Sequence, residues 1–278
     1  MSAAVKLSPT LKSLLALPSA RPGGIPSPAS PVIAKLFDSI RSKAPSDLGK
    51  DAWLTLGTAA IMTVNAPDAL GHLWDYAGRK STDAAVMREA GLKCISFNGI
   101  PRTINGLGAF RQHLPTDVQA ELGTTAYRHI DSSNVTEINT RGRALWDSIY
   151  QPHHEKLISK LDQSHPDLPV YILAAHYGPL LSDPSSLPSP QIGRVLTSVV
   201  AITCLRAQRG VGPQVTSHVF GLRKAGAEQD AMQKLQGGEW LCSDEGAQWV
   251  LESTDKVSEV VAGGKTTFAG PSEVQAKL

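Results

Sequence analysis

The sequence predicts an all-α fold. Alternating runs of β-branched and aromatic residues, which indicate strands, are scarce, whereas apolar residues recur with helical spacing in segments that Gly and Pro separate. The chain has 278 residues, of which 41% are hydrophobic and only 5% aromatic. This length and composition suit one large globular domain or two small ones.

The first 30 residues are predicted to form a flexible arm. Residues 1–37 contain no acidic side chain, four basic side chains and many Ser and Pro residues, a composition typical of mitochondrial transit peptides. The Pro-rich segment 18–28 cannot continue a helix, which favours an extended arm over a cleaved presequence.

Helices are predicted from residue 31 to residue 260. The segment that begins at Asp167 also has a strand-like composition, but the Asp and Pro near its start favour a helix. The predicted helices are approximately Pro31–Ser42, Ala52–Val64, Ala66–Ala77, Thr82–Ile95, Pro101–Gln112, Asn139–Tyr150, Gln151–Leu161, Pro166–Tyr177, Gln191–Gln208, Pro213–Lys224 and Glu239–Val260.

The last residues, 261–278, lose the helical period and are predicted to form a flexible tail. The tail ends in Ala276, Lys277 and Leu278, which differ from the peroxisomal address Ser-Lys-Leu by one small-for-small change. This ending predicts a protein of the peroxisomal matrix that a peroxisomal import receptor binds through its C-terminus. The mitochondrion and the cytosol are the alternatives.

Charge, cysteine spacing and hydropathy exclude several classes of function. Lys and Arg number 27 against 25 for Asp and Glu, so the chain lacks the basic excess that nucleic-acid binding needs. No apolar run approaches the roughly 18 residues of a membrane span, so no membrane partner is expected. Cys94, Cys204 and Cys242 are widely separated, which disfavours disulfide staples, thiol-pair chemistry and a zinc site.

Two parts of the chain show the same order of features. Leu54–Ile61 is an apolar segment of small residues, and a helix that opens with Pro67 and carries His72 follows it. Leu196–Ile202 is likewise followed by a helix that opens with Pro213 and carries His218 five residues on. The pattern predicts two related helical-hairpin units, within residues 31–125 and 139–260.

The segment from Arg141 to Met232 resembles a known family through short motifs in a fixed order. They are Arg141-Gly-Arg-Ala-Leu, His165-Pro-Asp-Leu, Tyr177-Gly, Ser182-Asp-Pro, Arg194-Val-Leu-Thr-Ser-Val-Val-Ala-Ile, Pro213-Gln-Val-Thr-Ser-His218 and Leu222-Arg-Lys-Ala-Gly-Ala. These motifs resemble the carboxymuconolactone decarboxylase family, an all-helical group that also contains the alkylhydroperoxidase-D-like proteins. A weaker match covers Ala52 to Arg111 and includes Gly99-Ile-Pro-Arg-Thr-Ile-Asn105.

The resemblance implies an alkylhydroperoxidase-D-like helical fold with two units in one chain. It also implies a small-molecule substrate, no cofactor, no metal, and assembly as a homo-oligomer, since family members generally form trimers or hexamers. The chain is similar to fungal tandem or extended members of the family, some of them thought to be peroxisomal. That similarity agrees with the Ala-Lys-Leu ending.

The two branches of the family differ in chemistry. The hydroperoxidase-like branch carries Cys-x-x-Cys-x-x-x-His, and alignment on His218 places Val211 and Gln214 where its two thiols stand. Alignment on His72 places Asn65 and Asp68 at the positions of the two cysteines. A thiol peroxidase of the hydroperoxidase-like type is therefore not expected. The decarboxylase branch also lacks the cysteine pair and carries Gln or Glu four residues before the histidine.

A decarboxylase-like site is therefore predicted around His218, Gln214 and Arg194. Gln214 and His218 lie one helical turn apart, so their side chains address the same region. The hypothesis assigns a substrate carboxylate to Arg194, proton transfer to His218, and the orientation of a carbonyl or water to Gln214. The structural alternative is that Arg194 joins helices and that His218 makes an interhelical hydrogen bond.

Further polar residues have both a functional and a structural interpretation. His176 or Tyr177 is expected to line the same pocket, and Arg102 is expected to bind ligand at a helix N-terminus, with helix capping as the alternative. His72 with Asp68 suggests a second acid/base pair or a degenerate copy at a packing interface. Adjacent side chains diverge on a helix, so the sequence His153-His154-Glu155 predicts a solvated face and no metal site.

These observations leave three hypotheses. The first is a cofactor-independent enzyme, a carboxy-lyase type protein that acts on a small lactone or oxo-acid. The second is a non-catalytic matrix protein that uses the fold for oligomerisation or partner binding and encloses Arg194, Gln214 and His218 away from solvent. The third is a redox protein that uses Cys94 or Cys204 singly.

Overall fold

The computed structural model describes residues 6–20, 23–228 and 235–263. The predicted all-α class is confirmed, since within these ranges every regular element is helical and no strand occurs. None of the described helices is both long and apolar enough to cross a bilayer. The α-helices are α1 (Pro9–Leu15), α2 (Ser30–Arg41), α3 (Lys50–Val64), α4 (Asp68–Ala77), α5 (Ser81–Lys93), α6 (Ile95–Asn98), α7 (Ile100–His113), α8 (Thr116–Glu121), α9 (Val135–Tyr150), α10 (His154–Ser164), α11 (Asp167–Tyr171), α12 (Gly193–Gln208), α13 (Gly212–Ala225), α14 (Gly238–Leu241) and α15 (Asp244–Ala262).

Helices α3 and α12 form the centre of the molecule. Every residue from Ala52 to Val64 in α3 and from Val195 to Leu205 in α12 is buried, and neither stretch contains a charged side chain. A helix without a charged face is stable only in the interior. Accordingly α3 and α12 pack against each other, and α5, α13 and α15 surround them.

The two predicted helical hairpins are α3–α4 and α12–α13. Asn65 (φ 57°) ends α3 and Arg209 (φ 63°) ends α12, so each chain reversal contains a residue with positive φ. Helix α2 packs on α4, and α9 packs on α13. One apolar core runs through both predicted units and includes, for example, Leu73 from the first and Val199 from the second. The relationship between the two units stays a prediction.

The N-terminal arm contains more structure than its sequence pattern predicts. Ser8 caps α1, a helix of seven residues, by accepting a hydrogen bond from the Leu11 amide over 3.2 Å. No residue of α1 is buried, so the helix has no packed face that periodicity would reveal. Further along the arm, the Ile25 amide donates to the Asn65 carbonyl over 2.7 Å and joins the arm to the first hairpin.

Three predicted helices are divided in the structure. The helix expected over Glu239–Val260 consists of α14 and α15, which Cys242 and Ser243 separate. The helix expected over Thr82–Ile95 ends at Lys93, and the short α6 begins directly after Cys94. The helix expected over Pro166–Tyr177 is α11 followed by a π-helical segment, Ile172–Leu181. The expected residues Ala276, Lys277 and Leu278 of the targeting signal lie outside the described residues.

Candidate functional site

His218 lies at the centre of a buried row of polar rings. Its side chain is on α13, and the residue is only 5% exposed. The imidazole Nε2 is 3.2 Å from the phenol oxygen of Tyr150, at the end of α9. That oxygen is 3.0 Å from the phenol oxygen of Tyr177, on the π-helical segment. Three elements therefore meet through one imidazole and two phenols.

A close backbone contact brings the two tyrosines together. A Cβ atom on Gly142 would lie only 2.4 Å from the backbone nitrogen of Gly178. The close approach of α9 to the π-helical segment therefore requires a residue without a side chain at position 142. The ring of Trp146 then packs against both phenols, with centroid distances of 4.1 Å to Tyr150 and 5.1 Å to Tyr177.

Burial keeps all three polar rings uncharged. Desolvation, and next the nearby charge of Arg194, lower the pKa of His218 to about 4. Desolvation also raises the pKa of Tyr150 and raises that of Tyr177 well above its ordinary value of 10.0. At neutral pH the cluster thus contains a neutral imidazole and two protonated phenols.

One atom of the cluster lacks a partner. The Nδ1 atom of His218 is buried and has no hydrogen-bond partner among the residues that the structure describes. If Tyr177 donates to Tyr150 and Tyr150 donates to Nε2, the single imidazole proton is on Nδ1. A buried polar atom without a partner is uncommon and marks a place where a ligand or water completes the structure.

Arg194 acts as a clamp between helices. Its Nε donates to the Ser148 hydroxyl over 2.7 Å, its Nη1 donates to the Ser198 hydroxyl over 2.6 Å, and its Nη2 donates to the Gly221 carbonyl over 2.8 Å. Glu228 adds a carboxylate oxygen 3.6 Å from Nε. Desolvation lowers the pKa of this guanidinium. These contacts fit the structural alternative for Arg194, which joins α9, α12 and α13.

The remaining predicted site residues do not join this cluster, with the exception of Tyr177. Gln214 is exposed, although it lies only one helical turn before His218, which is buried. His176 contacts Ser96 instead, with Nδ1 3.0 Å from the hydroxyl, and desolvation lowers its pKa. Arg102 donates through Nη1 to the Thr63 carbonyl near the end of α3, as the capping alternative predicts.

Sequence reasoning missed Tyr150, Trp146 and Phe97. Trp146 and Tyr150 lie one turn apart on an amphipathic helix, and this i, i+4 aromatic pair was the available signal for a shared face. Phe97 places its ring edge on His218 at a centroid distance of 5.9 Å. No sequence signal links Phe97 to His218, which is 121 positions later in the chain.

The histidine of the first hairpin has different neighbours: its ring centroid is 6.4 Å from that of His113, whose Nε2 is 2.9 Å from Asp75 Oδ2. The Nδ1 atom of His72 is 3.1 Å from both the Ser27 hydroxyl and the Pro28 carbonyl of the N-terminal arm. Asp68 is exposed. This geometry fits a packing contact better than an acid/base pair.

Two clefts lie elsewhere on the molecule. One, of about 660 Å³, lies between the end of α12, the start of α13 and the end of α15. The other, of about 720 Å³, lies between α2, the start of α3 and the end of α4. Neither His218 nor Arg194 nor Gln214 lines either cleft.

The segment His153-His154-Glu155 takes part in ion pairing. Glu155 accepts a hydrogen bond from Arg143 and lies 3.8 Å from Nε2 of His154. Within the described ranges, no group of three or more His, Cys, Asp or Glu side chains is arranged to hold a metal ion.

Two curated proteins are similar to this chain. Peroxisomal protein 2 of Saccharomyces cerevisiae is 28% identical over 172 residues, which cover 55% of this chain and 59% of that protein. Peroxisomal protein 2 of Schizosaccharomyces pombe is 28% identical over 144 residues, which cover 52% of this chain and 62% of that protein. The chain thus spans about three fifths of the length of these relatives.

These relatives confirm the predicted peroxisomal localisation, rather than the mitochondrion or the cytosol. No family model matches the chain. No solved structure matches it.

Proposed function

We propose that this protein is a non-catalytic member of the carboxymuconolactone decarboxylase-like group in the peroxisomal matrix, and that its fold serves self-association. The observation that carries the proposal is the commitment of Arg194 to the protein's own oxygen atoms. The guanidinium directs N–H donors of all three nitrogens at two hydroxyls and a carbonyl, so a bidentate bond to a substrate carboxylate would compete with the junction of three helices and with the nearby Glu228.

The burial of His218 supports the same proposal. The imidazole is 5% exposed and has Tyr150 on Nε2 and the edge of Phe97 against its ring. The closed environment of Arg194 and His218 supports the second hypothesis for these two residues, whereas Gln214, which that hypothesis also encloses, is exposed. Gln214, on the surface, is then available for contacts with a partner.

A second copy of the chain is the proposed partner. Large apolar side chains are exposed on several helices, including Ile100 and Ile104 on α7 and Phe220 on α13, which are 60%, 65% and 64% exposed. Such residues supply the apolar area that a symmetric interface buries. The packing of α3 on α12 within one chain resembles the pairing of two single units, so one protomer would act as a preformed pair in a larger assembly.

One observation favours the enzyme as a second candidate. The free Nδ1 of His218, a neutral imidazole and two adjoining phenols form a set of groups that can accept and return a proton. In this candidate a small lactone or oxo-acid reaches Nδ1 after a movement of α13 or α9, without a cofactor. A cation other than Arg194 would have to bind the substrate carboxylate.

The deciding experiment measures carbon dioxide release by the purified full chain from a panel of carboxylated lactones and oxo-acids. The variants are His218→Gln and, as the matched control from the first hairpin, His72→Gln. We expect no release above background from any of the three proteins. Turnover that His218→Gln loses and His72→Gln retains would replace the proposal with the enzyme.

Light scattering on the same preparations tests self-association. We expect a mass of at least two chains, with a shift toward the monomer in Phe220→Glu or Ile104→Glu. A monomeric wild-type protein that also lacks turnover would contradict the proposed role of a second copy.

A further inference from the structure

Two of the three cysteine thiols meet in the core. The Sγ atoms of Cys94 and Cys204 are 3.6 Å apart, although the residues are 110 positions apart in the chain. Both side chains are fully buried. Cys94 separates α5 from α6 in the first predicted unit, and Cys204 is in the middle of α12 in the second.

Each of the two thiols contacts a backbone carbonyl oxygen. Cys94 Sγ is 3.3 Å from the Ala90 carbonyl oxygen, and Cys204 Sγ is 4.0 Å from that of Ala59. Ala59 and Ala90 are themselves fully buried. The hydrogen bond from Cys204, and next burial, raise the pKa of Cys94, so Cys94 rests as a thiol at neutral pH.

We propose that Cys94 and Cys204 form an oxidation site that a small hydroperoxide converts to a disulfide. One thiol loses its proton and its sulfur attacks the peroxide. The O–O bond breaks, a sulfenic acid forms, and the leaving oxygen takes up the proton and departs as water or an alcohol. The second thiol attacks the sulfenic sulfur, the S–S bond forms, and the S–O bond breaks to release water. Two electrons pass from the sulfur atoms to the peroxide, and both thiol protons end in the products.

The geometry permits this bond with a short movement. A disulfide needs an S–S distance of about 2.05 Å, so the two sulfurs must approach from 3.6 Å. Cys94 lies at the junction of two helices (φ −60°, ψ −18°) and is not inside a continuous helix, so its side chain and backbone can adjust. The sulfurs are already in contact with each other, and the next recorded contact of each is with a backbone carbonyl oxygen, of Ala90 for Cys94 and of Ala59 for Cys204.

Burial determines which reagents reach the site. A bulky alkylating agent has no path to a fully buried sulfur in the folded chain, whereas hydrogen peroxide, the smallest hydroperoxide, enters through small fluctuations. Once one sulfur is oxidised, the other is already in van der Waals contact, so the sulfenic acid is consumed before further oxidation. The third cysteine, Cys242, forms no part of this pair and serves as an internal control.

The disulfide would join the first predicted unit to the second. It would close a loop of 110 residues between α5 and α12, and it would restrict the unfolded chain more than the folded one. Oxidation is therefore expected to raise the thermal unfolding midpoint by roughly 5 °C or more.

The test treats the fully reduced, folded chain with excess hydrogen peroxide, then alkylates it in denaturant and maps its peptides by mass spectrometry. We expect the chain to lose the mass of two hydrogen atoms, to retain one alkylatable thiol, and to yield a linked Cys94–Cys204 peptide pair. Cys242→Ser should form the same link and show the same rise in the unfolding midpoint. Cys94→Ser and Cys204→Ser should form no link and instead add oxygen at the remaining thiol.

The proposal is overturned if all three thiols are still alkylated in denaturant after the folded chain has been treated with peroxide, if the thiols add oxygen without forming a link, or if either pairs with Cys242. The wild-type peptide map alone identifies the link, so the result does not depend on whether the serine variants fold. Reversal by dithiothreitol, with recovery of three alkylatable thiols, separates the disulfide from irreversible oxidation.

Discussion

The Nε atom of Arg194 donates to the Ser148 hydroxyl over 2.7 Å, and this bond ties α12 to α9 beside the His218 cluster. Arg194→Ala would leave the Gly221 carbonyl and the Ser198 hydroxyl without their charged donor. We expect a loss of about 3–5 kcal/mol in the free energy of unfolding, measured by urea denaturation.

Ser148→Ala removes only one of these acceptors and should cost about 1–3 kcal/mol. The control is Arg206→Ala, because Arg206 pairs with Asp255 on the surface and such exposed pairs contribute about 1 kcal/mol or less. Equal losses for Arg194→Ala and Arg206→Ala would contradict the role of Arg194 as a clamp.

Acid should destabilise the protein through His218. The folded pKa is about 4, below the ordinary value of 6.5, so between these values the unfolded chain binds a proton that the folded chain does not. Stability is therefore lost as the pH falls from about 6.5 toward 4, by up to about 3 kcal/mol.

His218→Gln removes the titrating group and should flatten this part of the stability curve, measured by urea denaturation at a series of pH values. His72→Gln is the matched control and should keep the wild-type slope. An unchanged slope in His218→Gln would show that other groups cause the acid sensitivity.

Tyr150 should contribute more to stability than Tyr177, because its hydroxyl contacts both Tyr177 and His218. Tyr150→Phe breaks two hydrogen bonds and leaves both ring nitrogens of His218 unpaired, at a cost of about 2–3 kcal/mol. Tyr177→Phe breaks one bond and should cost about 1 kcal/mol. Thermal unfolding compares the two variants, with Tyr171→Phe on the surface as the control. A larger stability loss in Tyr177→Phe than in Tyr150→Phe would refute the bridging role of Tyr150.

Asp183 should be essential to the fold because it neutralises a fully buried lysine. Lys93 is 0% exposed, and its Nζ lies 2.7 Å from Asp183 Oδ1 and 3.0 Å from the Thr197 hydroxyl. Asp183→Ala leaves this cation without its anion and should cost about 3–5 kcal/mol in the free energy of unfolding. Glu252→Ala, which breaks an exposed pair with Lys43, should cost about 1 kcal/mol or less, and a similar loss in both variants would disprove the contrast.

The C-terminal tripeptide should direct the protein to peroxisomes. A fluorescent protein fused ahead of the full chain should appear in peroxisomes, and deletion of residues 276–278 should leave it in the cytosol. Removal of residues 1–30 should leave the peroxisomal pattern unchanged. A distribution that the tail deletion does not alter would assign targeting to another part of the chain.

Most helix boundaries could be predicted from the sequence. The helices expected over Ala52–Val64 and Pro101–Gln112 agree with α3 and α7 to within two residues at each end. The exceptions have local causes. Helix α1 buries no face, so it lacks an apolar period that a core would impose, and Cys94 divides a helix within a segment that carries no Gly or Pro at the break.

The candidate site could be predicted only in part. The helix that carries His218 is predicted correctly, and an interhelical hydrogen bond is one of the two interpretations of this residue, but its neighbours are not predicted, because Tyr150 and Phe97 reach it from other helices. Gln214 shares the spacing that favours a common cavity, yet its side chain is exposed whereas that of His218 is buried. Arg194 lies beside the cluster, as the sequence predicts. Its hydrogen bonds join helices, which fits the structural alternative for this residue.

The sequence by itself determined the helical class and most helix boundaries, because helical period and the positions of Pro and Gly are properties of neighbouring residues. Only the tertiary structure decided that Arg194 bonds to Ser148, that Lys93 pairs with Asp183 and that Cys94 meets Cys204. Those contacts depend on the angles and depths at which helices pack. Side chains far apart in the chain set these angles together, and no local pattern records them.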